Sequence, residues 1–236
     1  MNTLLIETAT PVCSVAVSVD GRIAARRSSS EPNAHSTRLT VFIDEMLRSL
    51  AMQPSQLDAV CVSAGPGSYT GLRIGVSTAK GLCYALGRPL LSVPTLLSMA
   101  ALYLSQHPDY QGLVCPMIDA RRMECYTMLV DGHLNIVRDT HADIFDSSEA
   151  SALPAFTAML DKGPIVFIGD GAAKTKSVFG SHPNARFDDT FVVAADGMAA
   201  IAAQKLQQGR VEDVAYFEPL YLKDFVAKKS VVHGLR

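Results

Sequence analysis

The hydrophobic and polar positions at the start of the chain follow a strand pattern. The stretches TLLIET and CSVAVSVDGRIAARRSS alternate or run apolar, and Asp20-Gly21 is a strong hairpin signal. They predict two or three antiparallel strands. The spacing then becomes helical and predicts one amphipathic helix, whose apolar positions are Leu39, Phe42, Ile43, Met46, Leu47 and Leu50.

Strands and helices alternate after this helix. LDAVCVSAG predicts a buried strand, and the Gly65-Pro66-Gly67 turn leads into a second helix with Ser68 as its cap. PLLSVP and TLLSMAALYLSQH predict another strand and another helix. Beyond the polar stretch SQHPDYQG the same order begins again. The pattern predicts an α/β protein of two βββαβα-like halves with mixed sheets, residues 1–106 and 107–236, and leaves open whether the last segment packs back on the first half.

The composition of the chain disfavours several classes of protein. The chain has 236 residues, 48% of them hydrophobic, and its 21 basic residues against 23 acidic ones give no overall attraction to a polyanion. Five cysteines without a C-x-x-C pair indicate reduced thiols. The sequence has no basic leader and no long uninterrupted apolar run, so we expect a cytoplasmic protein without a membrane span. The six histidines have no ligand spacing, and we expect no metal site.

The second helix carries more apolar surface than one sheet contact needs. At about 100° per residue its apolar and small residues cover roughly 220°, and they are Gly71, Leu72, Ile74, Gly75, Val76, Thr78, Ala79, Gly81, Leu82, Cys83, Ala85 and Leu86. Arg73, Ser77, Lys80 and Tyr84 occupy the rest. Gly71, Gly75 and Ala79 form a flat strip that a second helix could approach closely. The sequence leaves two candidates for the element that packs on this strip: a partner protein, or the first helix of the same chain.

Four turns are candidates for phosphate or nucleotide chemistry, each with a structural alternative. Glu7 and Thr8 end a strand, where a carboxylate either holds a hydrated metal or faces solvent. The glycine turn before Tyr69 either binds an anion or is a tight strand-to-helix turn. Asp119 begins a third turn, and the pair Gly169 and Gly171 either supports an adenosine or forms an ordinary turn.

Together these motifs resemble a known family. The segments LLIETATPVCSVAV, HSTRLTVFIDEML, VSAGPGSYTGLRIGVSTAKGL, SVPTLLSMA, IDARRMECY and FEPLYLKDFVAKK are similar, in this order, to motifs of TsaB, also called YeaZ. The block G-P-G-S-[FY]-T-G-[LV]-R-I-G is specific for that family. The resemblance spans almost the whole chain.

The resemblance implies an actin-like, sugar-kinase-like fold of two ribonuclease-H-like halves. It also implies a non-catalytic paralogue of TsaD, the subunit that transfers a threonylcarbamoyl group to adenosine 37 of tRNA. TsaB-like proteins would bind TsaD and the TsaE ATPase, form homodimers in isolation, and meet tRNA only through the complex. The H-x-E-G-H type metal motif of TsaD is absent from this sequence.

The resemblance and the helical pattern together predict a partner or dimer interface on the first two helices. It consists of His35, Leu39, Phe42, Ile43, Met46, Gly71, Leu72, Gly75, Val76, Ala79, Leu82 and Cys83. We expect no catalytic residues and no bound cofactor, apart from weak ATP or ADP binding at a subunit junction. A residual nucleotide site would use Glu7, Thr8, Asp119, Gly169 and Gly171.

The alternative is an active ATPase or kinase of the actin-like superfamily. Arg121 and Arg122 count against it, since they stand where a second phosphate loop needs glycines. A metallopeptidase would need a pair of zinc ligands that the sequence does not supply.

Overall fold

A computed structural model describes residues 1–223. The first half contains β1 (Asn2–Glu7), β2 (Cys13–Val19), β3 (Arg22–Ser29), α1 (Ala34–Thr37), α2 (Leu39–Ser49), β4 (Ala59–Ser63), α3 (Tyr69–Leu86), β5 (Leu90–Val93) and α4 (Thr95–Gln106). The second contains β6 (Leu113–Asp119), β7 (Glu124–Val130), β8 (Ile136–Ile144), α5 (Leu153–Leu160), β9 (Ile165–Ile168), α6 (Ala172–Phe179), β10 (Ala185–Asp188) and α7 (Ala199–Gln207). Short 3-10 turns lie at Pro54–Gln56 and Ala195–Met198.

The two sheets have the same topology. The first has the strand order β3-β2-β1-β4-β5, and the second has the order β10-β9-β6-β7-β8. In each sheet the first strand in the chain lies at the centre, antiparallel to the next strand and parallel to the fourth. The predicted α/β architecture of two halves with mixed sheets is confirmed.

Central strands of the first sheet are buried on both faces, which explains their continuous apolar sequence. In β1, Leu4 and Ile6 lie in a core formed with α2 and α3. Leu5 points to the opposite face, where it packs with Met198 and Ala202 of the chain's late helical segment. The face of each β1 side chain therefore determines whether it contacts an early or a late part of the sequence.

Helices are exchanged between the two halves. α4 follows the first sheet in the chain, but Leu96 and Met99 on this helix pack in a core with Val114 and Ile118 of β6. The Ala195–Met198 turn and α7 follow the second sheet and pack on the first. The division into residues 1–106 and 107–236 remains a prediction, and its last residues, 224–236, lie outside the described part of the chain.

The structure also describes the environment of the cysteines and the apolar character of the helices. All five cysteines are buried and free of disulfide bonds. No helix within residues 1–223 combines the length and the apolar character that crossing a membrane requires.

Candidate functional site

The glycine loop joins β4 to α3 and packs against the turn that follows β1. The Ser68 hydroxyl accepts a hydrogen bond from Gly71 N–H at 3.3 Å, so Ser68 caps α3 as predicted. Ser68 N–H donates to the Ala9 carbonyl at 2.7 Å. A Cβ on Gly67 would lie only 2.3 Å from that carbonyl oxygen. Close backbone contact between loop and turn therefore accounts for the glycine.

The strip of small residues on α3 faces the chain's own first sheet. A Cβ added to Gly71 would lie 2.1 Å from the Thr8 carbonyl oxygen, and one added to Gly75 would lie 2.1 Å from Thr8 Oγ1. Ala79 has no exposed surface. The expectation that this strip is presented to a second subunit is therefore wrong. The residues are small because α3 passes very close to the end of β1.

Most of the other predicted interface residues belong to the same core. Seven have at most 9% of their surface exposed, and they are Leu39, Phe42, Ile43, Met46, Leu72, Val76 and Cys83. They stabilise the first half and leave little surface for a partner, which corrects the prediction for them. Only His35 and Leu82 of the predicted set are partly exposed, and His35 Nε2 is buried without a hydrogen-bond partner among the described residues.

The opposite side of α3 is the one that faces solvent. Ser77, Gly81 and Ala85 are exposed at a spacing of four residues, and Tyr84 beside them is 87% exposed. A Cβ on Gly81 would meet nothing within 4 Å. We call Ser77, Gly81, Tyr84 and Ala85 the outer face of α3. Sequence reasoning missed this face, although it has the same spacing of small residues as the buried strip.

A second exposed aromatic side chain belongs to a late segment that is attached to α3. Lys80 on α3 donates to the carbonyl groups of Ala215 and Phe217, at 3.0 and 3.2 Å. These bonds attach the backbone on both sides of Tyr216 to Lys80, one helical turn before Tyr84, and Tyr216 is 84% exposed. Two such exposed aromatic rings are unusual on a protein surface and typical of binding sites.

A cleft of about 690 Å³ separates the two halves. Its walls come from the turn after β1, the glycine loop, the β6–β7 turn and the late segment 220–223. Of the five residues predicted for a residual nucleotide site, only Asp119 lines this cleft. Glu7, Thr8, Gly169 and Gly171 do not line it, so the structure does not assemble the predicted set.

Glu7 is fully buried, contrary to both interpretations of its position. Its Oε1 accepts a hydrogen bond from Ala9 N–H at 2.6 Å, while Oε2 has no partner among the described residues. Burial raises the pKa of Glu7 to about 7, against the lowering effect of this bond. A carboxyl group in this position neither faces solvent nor reaches a metal in the cleft.

The glycines of the 169–171 turn serve packing. Gly169 has a φ of +94°, and a Cβ there would lie 2.4 Å from the Met117 carbonyl oxygen. A Cβ on Gly171 would lie 3.1 Å from Cys125 Sγ. The turn thus lies directly on the second sheet, which supports the alternative of an ordinary structural turn.

Asp119 is held by neighbours of opposite charge. Lys174 Nζ lies 2.5 Å from Asp119 Oδ1, and Arg121 N–H donates to the same oxygen at 2.6 Å. Partial burial opposes ionisation, but these contacts outweigh it and lower the pKa of Asp119. The carboxylate is therefore charged and already neutralised by Lys174.

Most backbone N–H groups of the β6–β7 turn already donate hydrogen bonds within the protein. Arg121 and Arg122 have φ values of 74° and 49°, so this turn has the left-handed backbone that usually requires glycine. The N–H groups of residues 119, 120, 121 and 124 all donate hydrogen bonds within the protein. A backbone nest for phosphate needs such groups free and convergent. Within residues 1–223 no cluster of three or more His, Cys, Asp or Glu side chains could hold a metal.

Comparison with known proteins identifies the family of this chain. The family model described as "TsaD: tRNA N6-adenosine threonylcarbamoyltransferase" matches residues 29–234. The chain belongs to this family. A relative that matches almost its whole length is the tRNA threonylcarbamoyladenosine biosynthesis protein TsaB of Escherichia coli, 29% identical over 98% of both chains. TsaB of Bacillus subtilis is 35% identical over 129 residues, or 55% of each chain.

A solved structure extends this likeness to the fold. YeaZ from Pseudomonas aeruginosa superposes with a TM-score of 0.77 at 24% sequence identity, over 94% of this chain and 99% of that one. The predicted resemblance to TsaB (YeaZ) is confirmed, and so is the actin-like fold of two similar halves.

Proposed function

We propose that the chain is a non-catalytic subunit of tRNA threonylcarbamoyladenosine synthesis that binds and organises the catalytic subunit TsaD. The pathway follows from the full-length likeness to a TsaB protein and from the family model named for the transferase. In this proposal the protein is cytoplasmic, TsaE is a further partner, and tRNA is met only through the assembled complex.

The outer face of α3 is the observation that carries the proposal. Small side chains there allow another helix to approach α3 closely, and an exposed tyrosine supplies an apolar ring with a hydrogen-bonding end. In isolation the same face would join two copies of the chain, since a twofold dimer uses one surface twice. TsaD would compete with the second copy for it.

The absence of catalysis is inferred from the cleft. Glu7 is buried, Asp119 is paired with Lys174, and most N–H groups of the β6–β7 turn donate hydrogen bonds within the protein. A phosphoryl-transfer site needs a metal-binding carboxylate and free donors directed at the phosphates. These features disfavour the ATPase or kinase alternative.

The decisive experiment uses Gly81→Arg with Ala173→Arg as its matched control. Both positions are exposed and helical, but Ala173 lies on α6, away from the outer face. A Cβ on Gly81 would meet nothing within 4 Å and the position is exposed, so we expect Gly81→Arg to fold normally. We expect it to lose both the homodimer and the complex with TsaD on gel filtration, whereas Ala173→Arg keeps both.

Thermal unfolding by circular dichroism separates folding from assembly. A Gly81→Arg protein that unfolds near the parent temperature and still forms both complexes would disprove the role of this face. ATP turnover by the isolated chain at about 1 per second or faster would contradict its non-catalytic role.

A further inference from the structure

The late part of the chain runs along the first half toward the cleft. We call residues 212–223 the strap. Glu212 pairs with the edge of β5, and its N–H donates to the Leu90 carbonyl at 2.8 Å. Phe217 packs against the first core, and Lys80 binds the two carbonyl groups around Tyr216. Backbone pairing, apolar packing and the hydrogen bonds from Lys80 thus fix the strap to the first half.

The end of the strap forms part of the cleft wall. Leu220 N–H donates to the Ala64 carbonyl at 2.7 Å, and the Tyr221 ring lies 5.1 Å from the ring of Tyr69. Residues 220–223 line the cleft together with both halves. The strap therefore borders the space that a ligand of the cleft would occupy.

One ion pair connects the strap to the other side of the cleft. Lys223 Nζ contacts Glu124 Oε2 on β7, with 44% of the lysine side chain and 18% of the glutamate side chain exposed. Within residues 1–223 this is the ion pair that joins the strap to the second sheet, since the Glu212–Lys205 pair joins it to α7, which packs on the first sheet. An ion pair with this much exposure stabilises only weakly and is screened by salt.

We propose that the strap is a latch that ties the two walls of the cleft together. Its body stays on the first half, while its end alternates between a closed state, in which Lys223 pairs with Glu124, and an open state, in which this pair is broken and residues 220–223 leave the cleft wall. The closed state restricts movement of the two halves relative to each other. This inference concerns the isolated chain and does not depend on the proposed partner.

Charge reversal and charge exchange test the latch. Lys223→Glu and Glu124→Lys each replace attraction by repulsion, and the double variant restores an attractive pair. The control is Lys162→Glu, an exposed lysine on the second half. Hydrogen exchange with mass spectrometry on the full chain follows the peptide that contains the Leu220 amide.

We expect each single reversal to accelerate exchange of this peptide by roughly threefold or more, and the double variant to return it toward the parent rate. The control should have no effect. Unchanged exchange in both single variants, or acceleration that the double variant does not reverse, would overturn the proposal.

A distance measurement reports on the cleft itself. The native cysteines are all buried, so spin labels can be attached selectively to Glu45→Cys on α2 and Ala158→Cys on α5. In the Lys223→Glu background we expect a longer or broader distance distribution than in the parent, with recovery in the double variant. An identical distribution in all backgrounds would show that the ion pair does not hold the halves together.

Discussion

Glu7 is a buried acid whose protonation should control the pH dependence of stability. Its ordinary pKa is 4.5, and burial raises it to about 7 in the folded protein. Between these values the folded state keeps a proton that the unfolded state has released. Stability therefore falls as pH rises from about 4.5 to 7, by about 3 kcal/mol in total, and stays lower above that range.

Glu7→Gln should remove this dependence. The glutamine side-chain oxygen still accepts the bond from Ala9 N–H, but no charge forms above pH 7. We expect the variant to be more stable than the parent at pH 8 and similar to it at pH 4.5, as measured by urea unfolding. Glu45→Gln, an exposed position on α2, is the control. Parallel pH profiles for the parent and Glu7→Gln would disprove the assignment.

At the scale of elements, α3 has two rows of small residues with opposite roles. Gly71→Ala would place a Cβ 2.1 Å from the Thr8 carbonyl oxygen, which is backbone and cannot move aside easily. We expect it to destabilise the protein by about 1–3 kcal/mol. Gly81→Ala meets open space and should stabilise the helix by up to about 1 kcal/mol.

Thermal or urea unfolding measures the loss of stability expected for Gly71→Ala and the gain expected for Gly81→Ala. Both variants carry the same glycine-to-alanine substitution on the same helix. If Gly71→Ala were as stable as Gly81→Ala, this would contradict the close contact of α3 with the end of β1. Comparable losses in both variants would instead mean that Gly81 is not exposed.

At the scale of the whole molecule, the exchange of helices predicts how the chain responds to cleavage. The linker after α4 is exposed at His107 and Pro108, so subtilisin should cut within residues 106–111. We expect the two fragments to remain together on gel filtration in native buffer, because α4 packs on the second sheet and α7 on the first. They should separate in urea.

Two outcomes would contradict this picture. Separation of the fragments in native buffer would show that the exchanged helices contribute little to holding the halves together. Cleavage within residues 65–75, with the linker resistant, would contradict the predicted division at residue 106.

Much of the fold follows from local sequence. The apolar runs of β1 and β2, the Asp20-Gly21 turn and the Ser68 cap depend on neighbours in the chain, so the local sequence predicts them. The repeated order of elements was sufficient to predict two similar halves. The family motifs were sufficient to indicate TsaB, since they are short and occur in order over almost the whole chain.

The functional surfaces were decided by tertiary structure. The apolar arc of α3 is so wide that its sequence fits burial of either side, and only contact with Thr8 at the end of β1 sets which row of small residues faces inward. Glu7 lies on the sheet face covered by the turn at residues 195–198, far away in sequence. The strap reaches the cleft wall through contacts such as that of Leu220 with Ala64. Sequence spacing encodes periodicity, whereas burial depends on which distant segments meet, and no local pattern specifies that.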